Sequence, residues 1–579
     1  MASEKVKQKK TYPGWVYLLR DKYYTHRVSQ FVLHGNIHDY VPVSTNDSTE
    51  YHKLEDFLYK DLFKKRDIIV FFDRARGINF RDSEMRKDFQ FAVEAYDRKN
   101  GTTFAAGWPA DPVRAFALLD VYLRIRLQSD KKSMALIIDY AETVIPDSSA
   151  ANAAAADRNI LVFLQKWATE DLFINSDMTI VLVAENAMYI NQQYLRNPHN
   201  QEIVIPYPNA TQRLGYISHY LANKTATQTY LEMTPEVLGQ NTAGLALVNL
   251  EILLAEINHK QEKFTFDQLN RQKKVIIEGE AGGLLEFVET KYSLKDVAGH
   301  KYARKHLMEA AQAIRNGRPE VMPMGYLVSG PVGTGKTFLI KCFSSDIGVP
   351  MVMLKNFRSK WVGESEGNLE KVLHLLKAMS PVAVMIDEAD AYLGTRNDSG
   401  GSGVGSRIFS MLATFMSDTE NRGKIIWFLV TARPDLMPVD FKRQGRAEEH
   451  IGLFYPESLE EKKELFEVCL KKTGLKNIKI SDFQDDFFQT LTVTSGADME
   501  AALTRAKFKA AARGIETDPI VIMEACDDFL PPTYPDEIEL MNYAAVLECT
   551  SRSLLPEKYK NMTRDEIVEK VNELKLRVS

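Results

Sequence analysis

A chain of 579 residues allows three or four compact units with ample core. Its composition, 45% hydrophobic and 26% charged with a net charge of −5, excludes a general electrostatic attraction for nucleic acid or anionic lipid. No run approaches the roughly 18 apolar residues of a membrane span, and Cys342, Cys469, Cys526 and Cys549 form no CxxC pair, so they read as reduced thiols in a cytoplasmic protein.

In chain order, "MASEKVKQKK" lacks the apolar segment of a secretory signal and reads as a solvated tail. "FVLHGNIHDY" at 31–40 reads as a strand running into a tight turn; His34 and His38 would suit a metal on a helix, but on a strand they read as satisfied residues beside that turn. "KKRD" at 64–67 reads as a helix end, and "DRKNGTTFAAGWPADP" as loop. "SMALIIDYAE", "MTIVLVAEN" and "EIVIPYP" follow as buried parallel strands, with "DSSAANAAAAD" a loop leading into a helix. "TAGLALVNLEILL" predicts a glycine turn at Gly244 opening a helix of a small following domain, and the polar "NHKQEKFTFDQLNRQKKVIIEGEAGG" reads as a linker.

The second half then repeats the first. "PVAVMIDEAD", "KIIWFLVTA" and "HIGLFYP" are three more strands, with 43 residues from Asp387 to Val430 against 44 from Asp139 to Val183, and 26 from Val430 to Pro456 against 25 from Val183 to Pro208. Gly496 in "TSGADMEAAL" lies 40 residues past Pro456, as Gly244 lies 36 past Pro208. One interval differs: Gly35 to Asp139 is 104 residues and Gly330 to Asp387 is 57, so the first half carries an insertion of 47 residues, expected around the loop-like stretch above. Alternating strands and helical patterns predict parallel sheets with helices on both faces.

What separates the halves is chemistry. "LVSGPVGTGKT" fits G-x-x-x-x-G-K-[ST] after a strand and before a helix, with Gly330, Gly335, Lys336 and Thr337 at the fixed positions. Glycines let backbone N–H groups wrap phosphates, the lysine reaches the β and γ groups and the threonine hydroxyl ligates Mg²⁺. Asp387 and Glu388 end a strand 51 residues after Lys336, Asp387 to hold the metal and Glu388 to polarise the attacking water. In the first half Asn36, Ile37 and His38 stand where the cradle should form, and Tyr140 follows Asp139, so no base is expected there.

Together with "SLKDVAGHKYARKHL", "SKWVGESEGNLEKV", "TARPDLMPVDFKRQGR" and "TSGADMEAALTRA", these motifs resemble the protein-remodelling branch of the AAA ATPases over about residues 294–525. The linker region and the degenerate first half resemble the paired-domain AAA proteins of bacteria and plastids. The resemblance implies an α/β fold of two tandem P-loop-type modules, each with a helical lid: a degenerate module at 12–260 with its lid from about 210, a linker at 261–294, an active large domain at 295–455, its lid at 456–530 and a helical tail at 531–579.

It further implies ATP and Mg²⁺, bound by Gly330, Pro331, Val332, Gly333, Thr334, Gly335, Lys336, Thr337, Phe338 and Asp387, with Asp296, Val297, Ala298, Gly496 and Ala497 around the adenine. Arg443 and Arg446 match arginine fingers that reach a neighbour's γ-phosphate, and Trp361, Val362 and Gly363 match the pore loop that grips a polypeptide, with "GTRNDSGGSGVGSR" as a second channel loop. Alanine at Ala432 replaces the asparagine that usually orients the water; Thr431 is the candidate substitute, and slow hydrolysis is expected. The implied function is a ring, most simply a hexamer, that remodels a protein client. The alternative is a slow nucleotide-gated scaffold or adaptor for a complex such as a contractile injection system. A nucleic-acid motor lacks a basic, aromatic-rich module, and a metalloprotease lacks H-E-x-x-H.

Overall fold

The computed structural model describes residues 10–46, 48–147, 154–316, 318–355, 365–393, 404–491, 495–530 and 534–578. Two compact units emerge, one of residues 1–277 with 366–378, the other of residues 278–365 with 379–579. No helix among the described residues is long and apolar enough to cross a membrane.

In the first unit, β1 (Gln30–Gly35) leads into a hairpin of β2 (Tyr40–Ser44) and β3 (Thr49–Lys53). Then come β4 (Ile68–Asp73), β5 (Gly77–Asn79), β6 (Met134–Ile138), β7 (Met178–Val183) and β8 (Asn200–Ile205), giving a six-stranded sheet in the order β5-β4-β6-β7-β1-β8. All neighbours are parallel except β5 on β4. Fully buried runs such as Met134-Ala-Leu-Ile-Ile138 explain why these strands read as continuous apolar stretches: both faces of the sheet are covered, by separate clusters around Leu136 and Ile137.

The second unit repeats the plan with β9 (Leu285–Val288), β10 (Gly325–Ser329), β11 (Met351–Leu354), β12 (Val382–Ile386), β13 (Ile425–Thr431) and β14 (Glu449–Gly452), in the order β14-β10-β13-β12-β11-β9. The five parallel strands correspond position for position, β4-β6-β7-β1-β8 to β11-β12-β13-β10-β14, whereas the antiparallel edge strand enters from a different place in the chain, after β4 in the first unit and before β10 in the second. Two tandem α/β modules with one order of parallel strands agree with the repeat that the equal spacings predicted.

Two sequence readings change. The 47-residue surplus is not mainly loop: two helices, Ser83–Asn100 and Pro112–Gln128, fill the span from β5 to β6, and the loop between them packs Trp108 on Phe89 with ring centroids 4.8 Å apart. The polar stretch 261–294 is ordered as a helix, Phe266–Glu280, and as β9; its charged residues are the solvated face of an amphipathic helix that buries Leu269 and Ile277. The C-terminal stretch forms helices Pro535–Glu548 and Arg564–Val578 that share the buried residues Leu540, Val571 and Leu574. Of the low-complexity stretch, residues 148–153 lie outside the described residues, and a helix runs over Ala155–Thr169.

The modules share a backbone peculiarity at the strand end. Glu388 has φ +49° and Tyr140, its counterpart after β6, has φ +51°, a left-handed conformation unfavourable for side chains of either type. The first module has the same turn, with an exposed tyrosine where the second carries a glutamate. Tyr140→Gly should therefore raise stability by about 0.5 to 1 kcal/mol, read as the urea midpoint followed through Trp15, Trp108 and Trp167 of that module; a lower midpoint would show that the tyrosine ring contributes more than the strain removes.

Candidate active site

The loop from β10 to the helix Lys336–Ile347 is shaped by close approaches. A side chain on Gly330 would run into the Leu453 carbonyl, and one on Gly333 would come within 2.8 Å of Ser495. Between them the lysine is folded back: Lys336 Nζ donates to the carbonyls of Gly330 and Pro331, both at 2.8 Å. Burial pulls this ammonium down to about 8, against the raising influence of Asp387 and Asp390. A desolvated cation resting on neutral carbonyls at a helix N-terminus is a site prepared for an anion.

Thr337 Oγ1 donates to Asp387 Oδ2 at 2.9 Å, which brings the two predicted metal ligands together at the end of β12. Glu388 donates its backbone N–H to Asp387 Oδ1 at 2.9 Å and leaves its own carboxylate exposed. A hydroxyl and a carboxylate side by side, beside a lysine, suit a hard cation that carries phosphate oxygens.

A cavity of about 660 Å³ opens beside the loop. Gly333 to Phe338 line it on one side, Val297 and Ala298 on another, and Gly496 and Ala497 on the lid side. Asp296 is not in the wall: its carboxylate accepts from Ser293 N at 2.8 Å and Ser293 Oγ at 3.0 Å, closing the turn that presents Val297. Loop and lid are joined directly, since Gly496 N donates to Gly333 O at 3.1 Å and Tyr455 Oη to Val332 O at 2.7 Å.

Several residues here were not foreseen. His300, itself left-handed, has Nε2 2.9 Å from Thr334 O, and burial lowers its pKa, so it serves as a neutral donor under the loop. Glu464 on the helix Leu459–Lys472 accepts from Gly299 N at 3.0 Å and from Arg304 Nη1 at 2.5 Å, fastening the adenine-side segment to the lid. Leu554, Leu555, Pro556 and Glu557 complete the wall. No short motif marks these contacts, because each is made across the fold.

The two candidate fingers differ. Arg443 is exposed. Arg446 is only 6% exposed, donates through Nη1 to Asp440 O at 2.6 Å and lies 6.0 Å from the Phe441 ring centre. Nor is Thr431 free to stand in for the missing asparagine beside it: its hydroxyl donates to Asp390 Oδ1 at 2.6 Å and accepts from Arg433 N at 2.9 Å. Trp361, Val362 and Gly363, and residues 394–403 of the glycine-rich loop, lie outside the described residues.

The first module's counterpart is built otherwise. β1 is followed by a hairpin rather than a helix, so no helix continues out of its turn as Lys336–Ile347 continues out of the loop after β10. Asp39, buried, accepts instead from Leu247 N at 3.0 Å, Val248 N at 2.9 Å and Asn36 Nδ2 at 2.8 Å, tying the turn to the helix Leu247–Lys260. The crevice over its strand ends, about 850 Å³, is lined by Glu55, Asp73 and Asp139 as well as Arg74 and Arg76. Burial, then Glu55 and Asp73, raise Asp139 to about 6. His34, 2.9 Å from Glu202, and His38, 3.4 Å from Glu185, have separate partners, and no group of three or more His, Cys, Asp or Glu among the described residues could hold a metal.

Fold and site together define a protein of two P-loop-type α/β modules, of which the second alone has a phosphate-loop sequence. Residues 6–206 match the AAA+ chaperone N-terminal Rossmann-like domain, residues 211–282 the AAA+ chaperone second helical domain and residues 326–455 the ATPase family associated with various cellular activities. The chain belongs to the AAA+ proteins, as one of paired-domain organisation. It is 27% identical over 357 residues to a cell division cycle protein 48 homolog of Archaeoglobus fulgidus, covering 56% of this chain and 48% of that one. It is 29% identical over 287 residues to the AAA domain-containing protein ycf46 of Trieres chinensis (48% and 56%), and 30% over 192 residues to the ATP-dependent zinc metalloprotease FtsH 1 of Salinibacter ruber (31% and 27%). The chain thus spans about half the length of the first two of these relatives.

Because Lys336 sits near pH 8 when its site is free, a bound polyanion will pull it fully into the charged form. Binding of Mg-ATP at pH 8 should take up about half a proton per site, and almost none at pH 6.5. Calorimetry in buffers of different ionisation enthalpy measures this, and the uptake should vanish in Lys336→Gln.

Proposed function

We propose that this protein hydrolyses ATP in its second module and uses the cycle, as a ring of subunits and most simply a hexamer, to remodel a protein client. The observation that carries this reading is the cluster formed by Lys336 and Thr337 in the cavity wall, Asp387 bonded to Thr337, and the exposed Glu388 that follows it. Thr337 and Asp387 would hold Mg²⁺, which when bound offsets charge on the β- and γ-phosphates. Lys336 trades its carbonyl contacts for phosphate oxygens, and Glu388 accepts a proton from the attacking water.

Within one subunit no exposed arginine is assigned to the transferring group; Arg443 supports supply from a neighbour, which makes turnover depend on assembly. Arg446, held to Asp440 and Phe441, suits support of that loop better than reaching outward. Glu388→Gln should abolish turnover while nucleotide binding persists. Arg443→Ala should cost about 10³-fold in kcat or more, and the specific activity of the unaltered protein should rise with its concentration. Full turnover by an isolated monomer would remove the shared-site reading.

Client threading rests on the family match of Trp361 and Val362. Trp361→Ala should stop unfolding of a fluorescent client protein with ATP turnover kept; unchanged unfolding would exclude the pore-loop role. The committed hydroxyl of Thr431 beside Ala432 favours a second reading, a scaffold timed by slow hydrolysis, in which Glu388→Gln prolongs assembly without loss of function.

A further inference from the structure

The turn that carries Arg443 is anchored from outside its own segment. The short helix Val439–Lys442 ends one residue before Arg443. Lys442, 11% exposed at its side chain, donates through Nζ to the Pro434 carbonyl at 3.0 Å and to Glu548, the last residue of the helix Pro535–Glu548. The same carboxylate lies 3.5 Å from His450 Nδ1 on β14, and that nitrogen is 2.8 Å from the Glu548 carbonyl while Nε2 is 3.0 Å from Ala447 O. Two ring nitrogens facing two carbonyl oxygens describe a doubly protonated imidazole. Glu548 is therefore the anion between two nearly buried cations, an arrangement in which losing the shared partner is far costlier than the pair is stabilising.

The other C-terminal helix grips the start of the same turn. Lys575 lies 3.1 Å from Asp435, whose carboxylate also accepts both forks of Arg433 at 3.0 Å. Past Glu548 the chain presses Cys549 against Gly452 and seats Leu554, 8% exposed, in the core with Leu294 and Val297. It then contributes Leu555, Pro556 and Glu557 to the nucleotide cavity. One continuous C-terminal segment thus touches the turn bearing Arg443 and the cavity wall.

We propose that Glu548 and Lys442 are positioning residues for Arg443, and that the C-terminal segment links the nucleotide in a subunit's own cavity to the arginine that subunit offers its neighbour. This rests on reading Arg443 as acting in a neighbouring site. A guanidinium works on a developing charge only if its approach is fixed, and an angstrom of misplacement is costly. Holding Lys442 at both Pro434 and Glu548 fixes the direction in which Arg443 leaves the domain.

The test uses the full chain and four variants, Glu548→Gln, Glu548→Asp, Lys442→Gln and Arg443→Ala, with kcat, KM and the affinity for a fluorescent ATP analogue measured on each. Lys442→Gln leaves no unpaired buried cation of its own, so it reports even where Glu548→Gln folds poorly. Glu548→Gln and Lys442→Gln should lower kcat by about tenfold to 100-fold, with analogue affinity within about twofold, Glu548→Asp recovering part of the loss. Each combined with Arg443→Ala should be no worse than Arg443→Ala alone. In mixed rings, Glu548→Gln placed on subunits already carrying Glu388→Gln should slow their unaltered neighbours. Normal turnover in Lys442→Gln and Glu548→Gln with loss in Arg443→Ala would overturn this inference alone. Losses that multiply in the double variants would do the same, and normal turnover in Arg443→Ala would overturn it together with the shared-site reading.

Discussion

A half-buried cation whose hydrogen bonds go to backbone carbonyls organises the second module. Lys336 can be desolvated at the mouth of a helix only because glycine backbone folds its loop tightly enough to offer two carbonyls to Nζ. Those carbonyls do not neutralise charge, so the arrangement is stable yet incomplete. Around it the surrounding elements are arranged to receive a polyanion: Thr337 and Asp387 beside the loop, Glu388 in a strained turn after them, and a lid whose Gly496 amide bonds the loop itself.

The first module shows the same parallel-strand order relieved of that demand. That order and the left-handed residue after β6 are common to both modules, while the helix after β1 is replaced by a hairpin. The link from turn to lid is made by the Asp39 carboxylate instead of by one peptide group bonding another. Such a link is internal and permanent, whereas the contact between Gly496 and Gly333 lies in the wall of a cavity that a ligand can enter. The turn of that module is thereby held by contacts internal to the chain.

In the second module the lid, the adenine-side segment and the C-terminal helices converge on one cavity. Glu464 ties Gly299 and Arg304 to the lid, and Glu548 ties Lys442 and His450 to the C-terminal helices. Carboxylates that bridge elements far apart in sequence are suited to passing a small displacement onward, because each has discrete partners to keep or lose.

Strands β1, β6 to β8, β10 and β12 to β14, the repeat and the phosphate loop were legible in the sequence because each depends on neighbours along the chain: buried runs, equal intervals, and a glycine-lysine-threonine order that works through local backbone; β2 to β5, β9 and β11 were not read there. Composition misled wherever it averaged over two faces, as in the helix Phe266–Glu280 and the helices within the 47-residue surplus. Packing decided that Thr431 is committed to Asp390, that Arg446 is buried while Arg443 is exposed, and that Leu554 to Glu557 belong to the cavity. These outcomes turn on which groups lose water to one another when elements pack, and no local pattern of residue types encodes that; the turn closed by Ser293 and Asp296 is by contrast a local capping pattern.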